Sequence, residues 1–83
     1  MLAMYMALID DESDKEKFER LYNTYETMMK KLANSILHNT ALAEETVQDC
    51  FLKLAMTITE VPDVPSKRAK AMITVMVKNK ARN

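Results

Sequence analysis

Apolar residues return every three or four positions between Phe18 and Leu37: Phe18, Leu21, Tyr22, Tyr25, Met28, Met29, Leu32, Ala33, Ile36 and Leu37. This spacing lays one stripe along about five turns of α-helix. Ser13 and Glu16 form an S-x-x-E capping box that predicts a helix start just ahead of Phe18. His38-Asn39-Thr40 closes the segment, and Asn39 or Thr40 can cap a second helix. The stripe of that helix is Ala43, Val47, Cys50, Phe51, Leu54, Ala55 and Ile58. A link this short makes the two helices antiparallel neighbours. Glu60-Val61-Pro62-Asp63-Val64-Pro65 cannot continue a helix, because each proline lacks an N–H and restricts the residue before it. Ser66 can cap a last helix with Ala69, Met72, Ile73, Met76 and Val77 on its buried side. Lys67, Lys70, Lys78 and Arg82 then fall largely toward solvent.

The start of the chain is different. Residues 1–9 are apolar nearly all round, which predicts a short helix packed on the other three or against a second molecule. The segment is too short to span a bilayer, has no basic residue before it and runs directly into Asp10, Asp11 and Glu12. Membrane insertion and a signal peptide are therefore not expected. The 83 residues predict one all-α domain, a compact bundle of three main helices plus a short N-terminal one. Within it, 1–12 is the apolar N-terminal segment and 13–83 the helical core. Composition agrees, since the chain has no glycine to supply the positive-φ turns of hairpins. The single Cys50 excludes an internal disulfide and suits a reducing, cytoplasmic compartment.

Charge adds a polarity that the zero net value conceals. The 12 acidic residues all precede position 67, whereas Lys67, Arg68, Lys70, Lys78, Lys80 and Arg82 form an acid-free tail. Such a tail suits a polyanion partner, nucleic acid first, and suits equally a solvated helix face. Enzyme signatures are missing. One His, one Cys and no Gly leave no phosphate-cradling loop and no assembled zinc or nucleophile–base pair. Glu44-Glu45 complements a helix dipole, His38 suits a helix C-terminus, and Cys50 reads as a small buried hydrophobe. No cofactor or metal is expected, and the methionines read as core filler.

Three strings carry a resemblance to a known family. They are Phe18-Glu-Arg-Leu-Tyr-Asn-Thr-Tyr25 with Ala33-Asn-Ser-Ile-Leu37, then Ala43-Glu-Glu-Thr-Val-Gln-Asp-Cys-Phe-Leu-Lys-Leu54, then Ala71-Met-Ile-Thr-Val-Met-Val-Lys-Asn79. Together they resemble the second conserved region of bacterial RNA polymerase sigma factors of the extracytoplasmic-function type. The middle string is the most specific, and the likeness covers roughly residues 14 to 83. Met72 departs from it, standing where the family often has an aromatic ring. Such factors also continue into a linker and a helix-turn-helix domain, absent from a chain that stops at Asn83. The resemblance thus implies a first domain that does not direct complete promoter recognition alone.

What the resemblance implies can be placed on the helices. Glu45, Gln48, Asp49 and Leu52 would dock on the clamp helices of the largest subunit of core RNA polymerase. Lys70, Lys78, Lys80 and Arg82 would contact phosphates of the minus-ten promoter element, with Asn79 and Asn83 reaching base edges or exposed single-strand bases. Asn79 has a second reading as a helix-end buttress. An anti-sigma factor is a further implied partner. The alternative is a small helical adaptor or antitoxin-like module that binds a protein and never touches DNA.

Overall fold

Residues 2–83 are described by a computed structural model, and among them the chain is all-α with no strand. Helix α1 covers Leu2–Met6, α2 Glu12–Leu37, α3 Thr40–Met56 and α4 Lys67–Arg82, with a 3-10 turn at Ile58–Glu60. With 26 residues, α2 runs the full long dimension of a molecule measuring 36 × 26 × 19 Å. Both α3 and α4 pack along it, and α1 lies over α2 and α3.

The expected stripes form most of the core, although Ile36 and Leu37 at the end of α2 stay partly exposed and the buried Ile58 lies beyond α3 in the 3-10 turn. Phe18, Leu21, Tyr25, Met29 and Ala33 of α2 meet Ala43, Val47, Cys50, Phe51, Leu54 and Ala55 of α3 and Ala69, Ile73 and Val77 of α4. Phe51 sits in an aromatic cluster, 4.7 Å from Tyr22, 5.8 Å from Tyr5 and 6.1 Å from Phe18 between ring centroids. Tyr5 is the reason α1 docks. It is buried in that cluster and donates a hydrogen bond to the Gln48 carbonyl at 3.4 Å. The first segment therefore packs on its own bundle, one of the two outcomes expected of it.

Four details differ from the sequence pattern. Helix α2 begins at Glu12, capped by Asp11, whose carboxylate accepts from the Asp14 N–H at 3.1 Å and the Ser13 hydroxyl at 2.7 Å. Ser13 is thus in the first turn rather than at the cap, because the charged Asp11 acceptor outcompetes its hydroxyl. Tyr25 is buried, but its hydroxyl is committed to the backbone of Ser66 at the end of the linker. Met72 and Met76 are only half-buried, and Ala81 takes their place on the buried side of α4. Lys78 is half-buried rather than free in solvent.

Without glycine, the α2–α3 link needs another residue in the left-handed region. His38 takes it, with φ 52° and ψ 36°, and its N–H closes the helix on the Asn34 carbonyl at 2.8 Å. Asn39 then caps α3 by accepting from the Leu42 N–H at 2.9 Å. The linker before α4 includes a cis Val64–Pro65 peptide. It is strapped to α2 by three side chains. Lys17 donates to the carbonyls of Ile58, at 3.2 Å, and Val61, and Arg20 donates to that of Val64 at 3.4 Å. The Tyr25 hydroxyl accepts from the Ser66 N–H and donates to the Ser66 carbonyl, both at 3.3 Å. Ser66 is also the cap of α4, accepting from the Ala69 N–H at 3.0 Å. Tyr25 therefore fixes where α4 begins. Tyr25→Phe keeps the ring and removes only these bonds, so urea denaturation should show a loss of about 1 kcal/mol. An unchanged midpoint would show that the strap is idle.

Candidate functional site

The outer side of α3 carries a mixed stripe. Glu45, Gln48, Asp49 and Leu52 are all exposed, as the rotation of the helix requires once Val47, Phe51, Leu54 and Ala55 are buried. Two further apolar residues extend the row. Leu42 is 49 % exposed, Leu52 43 % and Met56 70 %, values high for side chains this large. Positions 42, 45, 49, 52 and 56 alternate steps of three and four, the spacing of a coiled-coil seam, over about 21 Å of helix. Leu42 and Met56 escaped the sequence reading because the buried stripe of α3 has the same period. The signal was there, in a second three-four row offset from the first.

The expected nucleic-acid residues are divided by the structure. Asn79, Lys80 and Asn83 line a groove between α3 and α4 together with Asp49, Cys50, Lys53, Met72, Val75 and Met76. Lys70 and Lys78 lie in a different groove, between α2 and α4. Arg82 is exposed at the end of α4 and belongs to neither lining. The Asn79 carbonyl accepts from the Asn83 N–H at 3.2 Å in the last helical turn, as any residue there does, and its side chain makes no hydrogen bond among the described residues. Its exposed amide is left to face the groove opening.

The two expected surfaces touch. The Lys80 ammonium lies 3.7 Å from the Asp49 carboxylate, so a residue of the α3 row and one of the α4 edge form an ion pair. Both side chains are about half-exposed, which limits the pair to less than about 1 kcal/mol. A partner can therefore separate them at little cost. On the far side of α3, the neighbouring Glu26 carboxylate and burial push the Tyr22 phenol up to about 12. Burial, with the same glutamate and Asp49, raises that of Tyr5 as well. Both phenols stay protonated at neutral pH, so the aromatic cluster carries no charge.

Cys50 is buried under the α3–α4 groove. Burial, and the Asp49 charge after it, push its thiol up to about 11. Against an ordinary value of 9.0, that leaves about a hundredfold less thiolate at pH 8. Among the described residues no cluster of His, Cys, Asp and Glu could hold a metal, and no helix is long and apolar enough to cross a membrane. Comparison with protein-family models, curated proteins and solved structures finds no match to this chain. The rotation of α3 can be checked chemically. Thiol reagents at pH 8 should label Cys50 at least about tenfold more slowly in the folded protein than in urea. Equal rates would mean that the row assigned to solvent is not the outer one.

Proposed function

We propose that this chain is a region-two domain of a sigma factor of the extracytoplasmic-function type, binding core RNA polymerase through α3 and minus-ten promoter DNA through the end of α4. The observation that carries the reading is the outer row of α3. The residues that the resemblance assigns to the polymerase, Glu45, Gln48, Asp49 and Leu52, are on its solvent side, and Leu42 and Met56 extend the row at either end at the spacing of a helical seam. Such a row suits the clamp helices, with Leu42, Leu52 and Met56 as apolar anchors along it and Glu45, Gln48 and Asp49 supplying polar register. The three resembling strings also fall wholly within α2, α3 and α4.

The mechanism follows from that arrangement. The α3 row holds the domain on polymerase, and the rigid bundle then carries the end of α4 to the DNA. Lys80 and Arg82 neutralise phosphates. The Asn79 and Asn83 amides each offer a donor and an acceptor to a base edge, paired or splayed out. With Met72 in place of an aromatic ring, recognition depends on these amides rather than on stacking. Docking that engages Asp49 also releases Lys80 for DNA.

The adaptor reading has one observation in its favour, because in the free domain Lys80 is already paired with Asp49. The two readings separate in one pair of measurements. Gln48→Ala with Asp49→Ala should weaken binding to core RNA polymerase by about 1–4 kcal/mol while leaving helicity intact. Lys80→Ala with Arg82→Ala should leave that binding alone, yet flatten the salt dependence of single-stranded promoter DNA binding by about 0.7 per lost contact. Loss of the polymerase effect would overturn the proposal. A polymerase effect without any DNA effect would leave the adaptor.

A further inference from the structure

The groove between α2 and α4 has a chemistry that contact with phosphates does not require. It is an open trough of about 740 Å³ lined by Thr24, Thr27, Met28, Lys31, Leu32, Lys70, Thr74 and Lys78. The lining contains no carboxylate, and among the described residues the ion pairs involve Lys30 and Lys80 rather than any of these lysines. Three like charges are thus left around one trough in a molecule whose net charge is zero. Their floor is apolar. Met28 and Leu32 are half-buried, packing inward on the core while still reaching the groove. The Thr74 hydroxyl is turned back onto the Lys70 carbonyl at 2.7 Å, which removes a polar atom from the wall.

From this arrangement we infer that the α2–α4 groove is a docking site for an acidic amphipathic peptide segment, its apolar side chains seated on Met28 and Leu32 and its carboxylates paired with Lys31, Lys70 and Lys78. Charge complementarity selects the partner. A cationic rim calls for an anion, and an apolar floor calls for side chains that phosphate and sugar do not supply. The apolar floor of Met28 and Leu32 favours a peptide's side chains over a phosphate backbone, and oligo-dT is the competing outcome in the test below. The thioether of Met28 suits a floor that adapts to differing apolar side chains. The site is separate from both the α3 row and the Asn79–Asn83 edge, so it stands or falls independently of polymerase binding.

The test is fluorescence anisotropy on the intact chain. The probe is a labelled helical peptide of about 14 residues with leucines along one face and glutamates flanking them. The comparators are the same peptide with Gln for every Glu, a scrambled peptide of equal composition, oligo-dT and phosphatidylglycerol vesicles. The amphipathic acidic peptide should bind best, more tightly at low salt. The triple variant Lys31→Gln, Lys70→Gln, Lys78→Gln should weaken it at least about tenfold with an unchanged circular dichroism spectrum. Thr27→Glu, which puts a negative charge like the peptide's own on the rim at an exposed position, should weaken it in the same direction. The inference is overturned if the scrambled peptide binds as well, if both variants bind normally, or if oligo-dT or vesicles depend on these lysines and the peptide does not.

Discussion

One apolar stripe organises this molecule. Phe18, Leu21, Tyr25, Met29 and Ala33 of α2 are each at most 5 % exposed, and every other helix rests on that side chain row or on a neighbour that does. Burying a Phe, Leu or Met side chain contributes about 1.5–3 kcal/mol. A domain of this size has only a few such residues with which to offset its chain entropy. The Phe18, Tyr22 and Phe51 rings tie α3 to the first half of the stripe, and Tyr5 brings α1 onto the same cluster. Ile73 and Val77 of α4 complete the core from the other side. With no disulfide and no metal cluster among the described residues, this packing, together with the hydrogen bonds that hold the linker, sets the relation between α3 and α4.

That relation is what the function would use. The buried side of α3 determines which residues face outward, and the straps from Lys17, Arg20 and Tyr25 determine where α4 starts. The result is three surfaces on one small bundle: the mixed row of α3, the Asn79–Lys80–Asn83 edge, and the lysine-rimmed α2–α4 groove. The first two meet at the Asp49–Lys80 pair. A weak, exposed pair at such a junction can be exchanged for contacts to a partner on either side, so docking on one surface alters the charge offered by the other.

Much of this arrangement was legible in the pattern of apolar residues. The stripes of α2 and α3, the caps at Asn39 and Ser66 and the outward turn of Glu45, Gln48, Asp49 and Leu52 all follow from spacing and local hydrogen-bonding capacity. What escaped was set by tertiary contacts. Tyr25 belongs to the same periodic row as Phe18, and only the folded linker shows that its hydroxyl is committed to Ser66. Val61 and Val64 each stand just before a proline in the linker, where no periodicity marks them as core, yet both are buried. The basic tail looked like one surface because charge along a sequence carries no angle. On α4 the lysines at 70 and 78 fall on one flank and Lys80 on the other.

The account rests on the outer row of α3 being a partner surface, and hydroxyl-radical footprinting addresses that row side chain by side chain. Met56, at 70 % exposure, is a sensitive reporter beside Leu42 and Leu52. Mixed with core RNA polymerase, the domain should lose oxidation at Leu42, Leu52 and Met56, while Met28 in the α2–α4 groove is oxidised as before. Unchanged oxidation of Met56 in a mixture where polymerase is in excess would contradict the account.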